Sequence, residues 1–356
     1  MITYRNRKAF QIDSGRLRVT VLVEGGHIAE LFHHETGVNP LWTPPWPSIE
    51  PSAYDPARRP EYGQNAESKL LCGIMGHNLC LDIFGGPSEE EAAAGLSVHG
   101  EASVAPYEIS VDQGMLIARA TLPEAQLRFT RTIRFTAPEI LRIEESVENL
   151  TGIDKPVGWT QHVTLGDPFV EPGVTEFRAS ATKSKVFESD FAGGKGYMLP
   201  GAEFDWPYVP RIGGGVVDMR RFVDLPVSGA FSTHLMDPAR EQAYFLAWSP
   251  KLKTLAGYVW KRADFPWLGI WEENRSRTSP PWNGRTITRG MEFGVSPMPE
   301  TRRAMVERGR LFGERTFRWI PAKSTVRVSY CAFVMPADSI PEAVAWDGTA
   351  GLDFTA

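Results

Sequence analysis

Short runs in which apolar and polar residues alternate with a period of two recur along most of the chain, the pattern of strands with one buried face. Leu17, Val19, Val21 and Val23 share one face of the first clear run. Leu127, Phe129, Ile133 and Phe135 share a face of another, with Arg128, Thr130, Thr132 and Arg134 opposite. Val326, Val328, Tyr330, Ala332 and Val334 repeat the pattern near the C-terminus. Helical signals are few and short. Residues 88–94 offer Ser88 as an N-cap, followed by Glu89 to Glu91 where acidic groups favour the helix dipole; residues 300–308 and 340–345 are the other candidates. No strand–helix–strand rhythm is present, which argues against a parallel doubly wound sheet. The pattern predicts an all-β protein, a large antiparallel β-sandwich with few short helices, as one domain over residues 1–356. The irregular stretches 40–60 and 192–215 are flanked by strands of the same character, so neither reads as a domain boundary, and 40–60, rich in proline and aromatic residues, reads as an ordered loop rather than a linker.

The 33 glycines and 28 prolines are spread along the chain as turn punctuation. A hydrophobic content of 42% allows a large core. The net charge of −5 and pI of 5.9, with basic residues scattered among acidic ones, argue against nucleic acid or an anionic membrane surface as partner. No run of about 18 apolar residues suggests a transmembrane helix, and residues 1–13 lack the apolar stretch of a signal peptide. The three cysteines, Cys72, Cys80 and Cys331, form no CxxC pair and suit small buried hydrophobes in a reducing compartment. A cytoplasmic location is expected.

Three ionisable residues stand out by parity. His99 in Leu96–Ala102, His162 in Val157–Leu165 and Glu292 in Met291–Ser296 each fall opposite the apolar residues of their runs. On strands they project away from the core. Two histidines and a carboxylate on one sheet face could carry out general acid–base chemistry. The solvated polar strand is the plain alternative for each, because sequence does not reveal which strands are neighbours.

Several segments resemble the galactose mutarotase (aldose 1-epimerase) superfamily. Gly25-Gly26-His27-Ile28-Ala29-Glu30-Leu31 is similar to its early Gly-Gly-x-Ile-x-x-Leu strand, and Val98-His99-Gly100 to its His-Gly element. Gln161-His162-Val163 sits where the second histidine is placed, after a Val147-Glu148-Asn149 turn. Trp267-Leu268-Gly269-Ile270-Trp271 and then Gly290-Met291-Glu292 resemble the late strands that bear the catalytic glutamate. The elements occur in superfamily order over roughly residues 15–335. The resemblance implies the mutarotase-like supersandwich, Glu292 as general base, His162 as general acid, and His99 as a third group at the ring oxygen. It implies no metal and no organic cofactor. The superfamily's arginine before His-Gly is not evident, and the corresponding stretch instead offers His77 as a substrate-binding group. The aspartate that holds sugar hydroxyls could be Asp205, Asp224 or Asp237, with Asp237 favoured by position.

Other features carry less. Eleven tryptophans could stack on sugars, with Trp42, Trp46, Trp159, Trp267 and Trp271 nearest the candidate strands, although core packing is the commoner fate of tryptophan. Arg275 and Arg277 could hold a phosphate or carboxylate of a substrate. Glu272 and Glu273 could supply a glycosidase carboxylate, yet neighbours on a strand point apart. His27, His33, His34 and Glu35 lack zinc-site spacing, and Gly193-Gly194-Lys195-Gly196 lacks that of a P-loop. The expected partner is a small-molecule carbohydrate, with a homo-oligomer left open. A sugar-binding protein without turnover and a glycoside-processing enzyme remain rivals to the epimerase.

Overall fold

A computed structural model describes residues 1–190 and 192–356. Strand accounts for 48% of it and helix for 7%, as the alternation predicts. The strands form two main antiparallel sheets, one of twelve strands and one of eight. The three runs read from sequence are the strands Leu17–Leu22, Leu127–Ala137 and Thr325–Pro336.

The two sheets pack through the apolar faces of their strands. Trp159, Val163, Leu268, Ile270, Met291 and Phe293 of the larger sheet share a core with Phe129, Ile143, Phe245, Tyr258, Trp260 and Tyr330 of the smaller one. Trp260 stacks on Phe293 with ring centroids 4.2 Å apart. A polar cluster is enclosed in this core. Arg131 Nε donates to Glu145 Oε1 at 2.8 Å, and Gln161 Nε2 to Glu145 Oε2 at 2.7 Å. Trp159 Nε1 and Tyr330 Oη donate to the same carboxylate at 3.0 and 2.8 Å. A buried ion pair of this kind is tolerable only when its remaining hydrogen-bonding capacity is filled, as it is here.

Capping signals locate two of the three candidate helices. Ser88 closes a capping box with Glu91 on the helix Glu89–Ala93, and Thr301 caps Arg302–Arg308. The third is corrected. Residues 340–345 carry no helix, and Ala343–Trp346 is a strand paired with Leu352–Thr355. Val344 and Trp346 alternate into an apolar cluster with Leu246, Val259 and Phe333, and that burial decides for strand.

The face of the larger sheet turned away from the smaller one is covered by loops. Residues 40–60, read as an ordered loop, place Trp42 and Trp46 there, against Leu70, Leu71 and Phe84. Five adjacent strands form the floor beneath: His77–Asp82, Lys155–Gly166, Ile287–Gly294, Trp267–Asn274 and Ser228–Met236, in that spatial order.

Candidate active site

Register brings the site together. His162 pairs with Asn78 on one neighbouring strand and with Glu292 on the other. Glu292 in turn pairs with Gly269, and Gly269 with Thr233. Because directly opposed residues share a face, Asn78, His162, Glu292, Gly269 and Thr233 form one row across the loop-covered side. His162 Nε2 lies 3.1 Å from Glu292 Oε1. The two atoms are in contact without hydrogen-bond alignment, since Oε1 has no hydrogen-bond partner. His162 Nδ1 is 3.0 Å from Thr164 Oγ1, which fixes the ring.

His99 reaches the row from above, and two expectations about it change. It lies in a turn rather than on a strand, with φ of +65°. The turn is tied down by His99 N donating to Gly85 O at 3.0 Å and by Leu81 N donating to His99 O at 3.2 Å. Gly100 must follow it, because a Cβ there would lie 1.9 Å from Leu81 O. Close backbone approach is thus the physical content of the His-Gly pair. The His99 ring lies over His162, centroids 4.7 Å apart, and its Nδ1 is 3.4 Å from Asn78 Nδ2. The second change concerns the face itself, which is not solvated. His162 is 5% exposed and Glu292 2%, since loops close over them.

The three groups line a cavity of about 160 Å3. Gly290 and Gly269 leave room on the floor, and a Cβ at Gly290 would fall 2.2 Å from Glu292 Oε1. Trp271 lines one side, with its ring 6.0 Å from that of His162. Trp282 stands edge-on to Trp271 at 6.0 Å and is backed by Trp42 and Trp46. The guanidinium of Arg277 lies 4.8 Å from the Trp282 ring centroid and 5.6 Å from that of Trp271.

Burial sets the protonation of the floor. Desolvation pushes the Glu292 carboxyl well above the usual carboxylate range. It lowers His162 to about 4. His99 is driven well below its ordinary value by burial first, then by the nearby imidazole of His162 and the charge of Arg277. Burial thus disfavours charge on each group of the floor, favouring the protonated carboxyl at Glu292 and the neutral imidazole at His162 and His99.

Of the residues expected from sequence, Glu292, His162, His99 and Trp271 meet at this cavity. Asp237, His77 and Arg275 do not. His77 has the parity of the core face. Its Nε2 is 2.9 Å from Gln161 Oε1, and its Nδ1 is 3.3 Å from Tyr258 Oη, between the sheets. Asp237 follows the Ser228–Met236 strand, where it accepts from Ala239 N at 2.9 Å and lies 3.5 Å from Arg240. Arg275, at φ of +58°, turns to a separate depression beside Thr43, Asp167 and Arg285. Among the described residues no aspartate lines the cavity. Trp159 and Trp267 are fully buried elsewhere.

Glu272 and Glu273 also work away from the cavity. Glu272 accepts from Tyr197 Oη at 2.6 Å on the core side. Glu273 accepts from Ser276 N and Arg277 N, at 2.6 and 3.1 Å, and so holds the segment that brings Arg277 over the site. Asn78, Glu67 and Trp282 carried no distinguishing sequence signal. Their roles depend on register and on the loops above the sheet. Among the described residues no three His, Cys, Asp or Glu side chains converge as metal ligands.

This architecture is the galactose mutarotase-like fold, a conclusion that comparison with solved structures supports directly. The chain superposes on a candidate aldose 1-epimerase of Klebsiella pneumoniae with a TM-score of 0.62, at 14% identity, over 90% of this chain and 77% of that one. A galactose mutarotase-like protein of Clostridium acetobutylicum gives 0.60 at 14% identity, over 94% and 97%. A galactose mutarotase related enzyme of Lactobacillus acidophilus gives 0.58 at 12%, over 94% and 99%. No protein-family model and no curated protein sequence matches the chain. At these identities the likeness establishes the fold, and chemistry has to be argued from the site.

Proposed function

We propose that the protein interconverts the anomers of a free aldose by acid–base ring opening. The observation that carries this reading is the 3.1 Å contact of His162 Nε2 with Glu292 Oε1 on the buried floor of the cavity, beneath His99. The reactive form needs carboxylate and imidazolium. It holds the same number of protons as an acid–imidazole pair, and one proton transfer, once the two groups align, interconverts the two. Glu292 then takes the proton of the anomeric hydroxyl while His162 protonates the ring oxygen. The ring C–O bond breaks and the aldehyde forms. Rotation about C1–C2 and reversal of both transfers close the other anomer.

A binding protein without turnover is the rival reading. The specific observation favouring it is the lack of an aspartate among the described lining residues. The glycosidase reading loses support because Glu272 and Glu273 hold protein groups away from the cavity. Glu292→Gln and His162→Asn separate epimerase from binder. Each should lower the catalysed rate by roughly a hundredfold or more while sugar still quenches tryptophan fluorescence. Wild-type rates in both variants would remove these residues from the mechanism.

A further inference from the structure

The polar side chains of the cavity are unevenly placed. His99, His162 and Glu292 are gathered at the floor, where the anomeric centre and ring oxygen belong under the epimerase reading. Arg277 and Glu67 are the more exposed pair, with side chains 25% and 40% accessible. Much of the remaining wall is hydrocarbon: Leu70, Leu71, Ile74, Phe84, Val98 and Phe231. These side chains can answer no hydroxyl. A sugar oxygen pressed against them would give up its water without a replacement partner, whereas a C–H or methyl group would gain by burial.

The charge of Arg277 is already answered within the protein. Its Nη1 lies 3.4 Å from Glu67 Oε2 and its Nε 3.7 Å from Glu273 Oε2, with the guanidinium over Trp282. Glu67 beside it would repel an added carboxylate or phosphate. An anionic substituent therefore has no unfilled counter-charge in this arrangement.

We infer that the cavity selects an uncharged aldose whose half remote from the anomeric carbon is poor in hydroxyls, through deoxygenation or an apolar substituent. This selectivity rests on the epimerase reading for the direction in which the sugar enters.

The test compares D-glucose and D-galactose with their 3-, 4- and 6-deoxy and 6-O-methyl analogues, and with glucose 6-phosphate and glucuronate. Catalysed anomer exchange is measured by NMR, and binding by tryptophan fluorescence quenching. At least one deoxy or O-methyl sugar should exceed its parent in kcat/KM by roughly ten- to hundredfold, the range an apolar pocket allows against an added hydroxyl. The charged sugars should do no better than D-glucose. A parent hexose or a charged sugar at the head of the series would overturn the inference. Tighter binding of the apolar analogues without any catalysed exchange would keep the selectivity and sink the epimerase reading. Equal binding of all members, or binding of none, would sink the selectivity itself.

Discussion

At the residue scale, the central pair has an unusual protonation balance. Because the resting and reactive forms differ only in where one proton sits, activity should be flat across the neutral range. It should fall on the acid side near pH 4, where His162 takes a second proton onto the pair. On the alkaline side it should fall only where the raised Glu292 finally ionises. A profile of kcat/KM against pH checks this. An acid limb near 6.5, the ordinary imidazole value, would mean that His162 is not held neutral by burial. Gly290→Ala tests the floor. The new Cβ would meet the mobile end of Glu292 rather than backbone, so the variant should fold. Its carboxylate must swing away, and exchange should drop at least tenfold. His162 and Glu292 were legible in the sequence because strand parity alone sets them apart from their apolar neighbours. Asn78 was not, since a short polar residue in an unmarked strand gains its meaning only from the partner opposite.

At the element scale, the site is a product of pairing. Five strands drawn from residues 77 to 294 place one row of side chains side by side, and a slip of one residue in any of them would turn its member into the core. The Lys155–Gly166 strand is anchored from behind by Gln161, held by the Arg131–Glu145 pair. Glu145→Ala would leave a buried guanidinium without its carboxylate, and should cost about 3–5 kcal/mol. Urea denaturation measures this, and a loss under 1 kcal/mol would show that the cluster does not stiffen the strand. Hydrophobic alternation and caps made these elements readable. The pairing order was not readable, because hydrogen bonds between strands leave no trace in local sequence. The strand Ala343–Trp346 escapes the local pattern for a related reason: partners that bury it, Leu246 and Val259 among them, lie far away in the chain.

At the scale of the whole molecule, the fold is specified by pattern more than by identity, as superposition at 12–14% identity indicates. Packing between the sheets and loops over the larger one together bury many imidazoles. Burial lowers His27 and His234 to about 3 and His162 to about 4, and drives His77 and His99 well below their ordinary value. Below pH 6.5 the unfolded chain takes up protons that these native groups refuse, so their contribution to stability is lost as pH falls. The raised carboxyls of Glu272 and Glu292 act in the opposite sense, so a comparison of variants isolates the effect. His234, held by Ser184 and Ser232, is the cleanest probe. As pH falls from 6.5 towards 3, His234→Asn should gain on the wild type by up to about 1.4 kcal/mol per pH unit. Denaturation at stepped pH reads that difference, and a constant gap would mean that His234 is not buried neutral.

The central claim is ring opening at the His162–Glu292 contact. NMR saturation transfer between α and β anomers, with the wild-type protein and a panel of uncharged aldoses at neutral pH, tests it most directly. Transfer above the spontaneous rate is expected for at least one sugar, returning to that baseline in Glu292→Gln. Baseline exchange with every sugar, or enhanced exchange that survives Glu292→Gln unchanged, would contradict it.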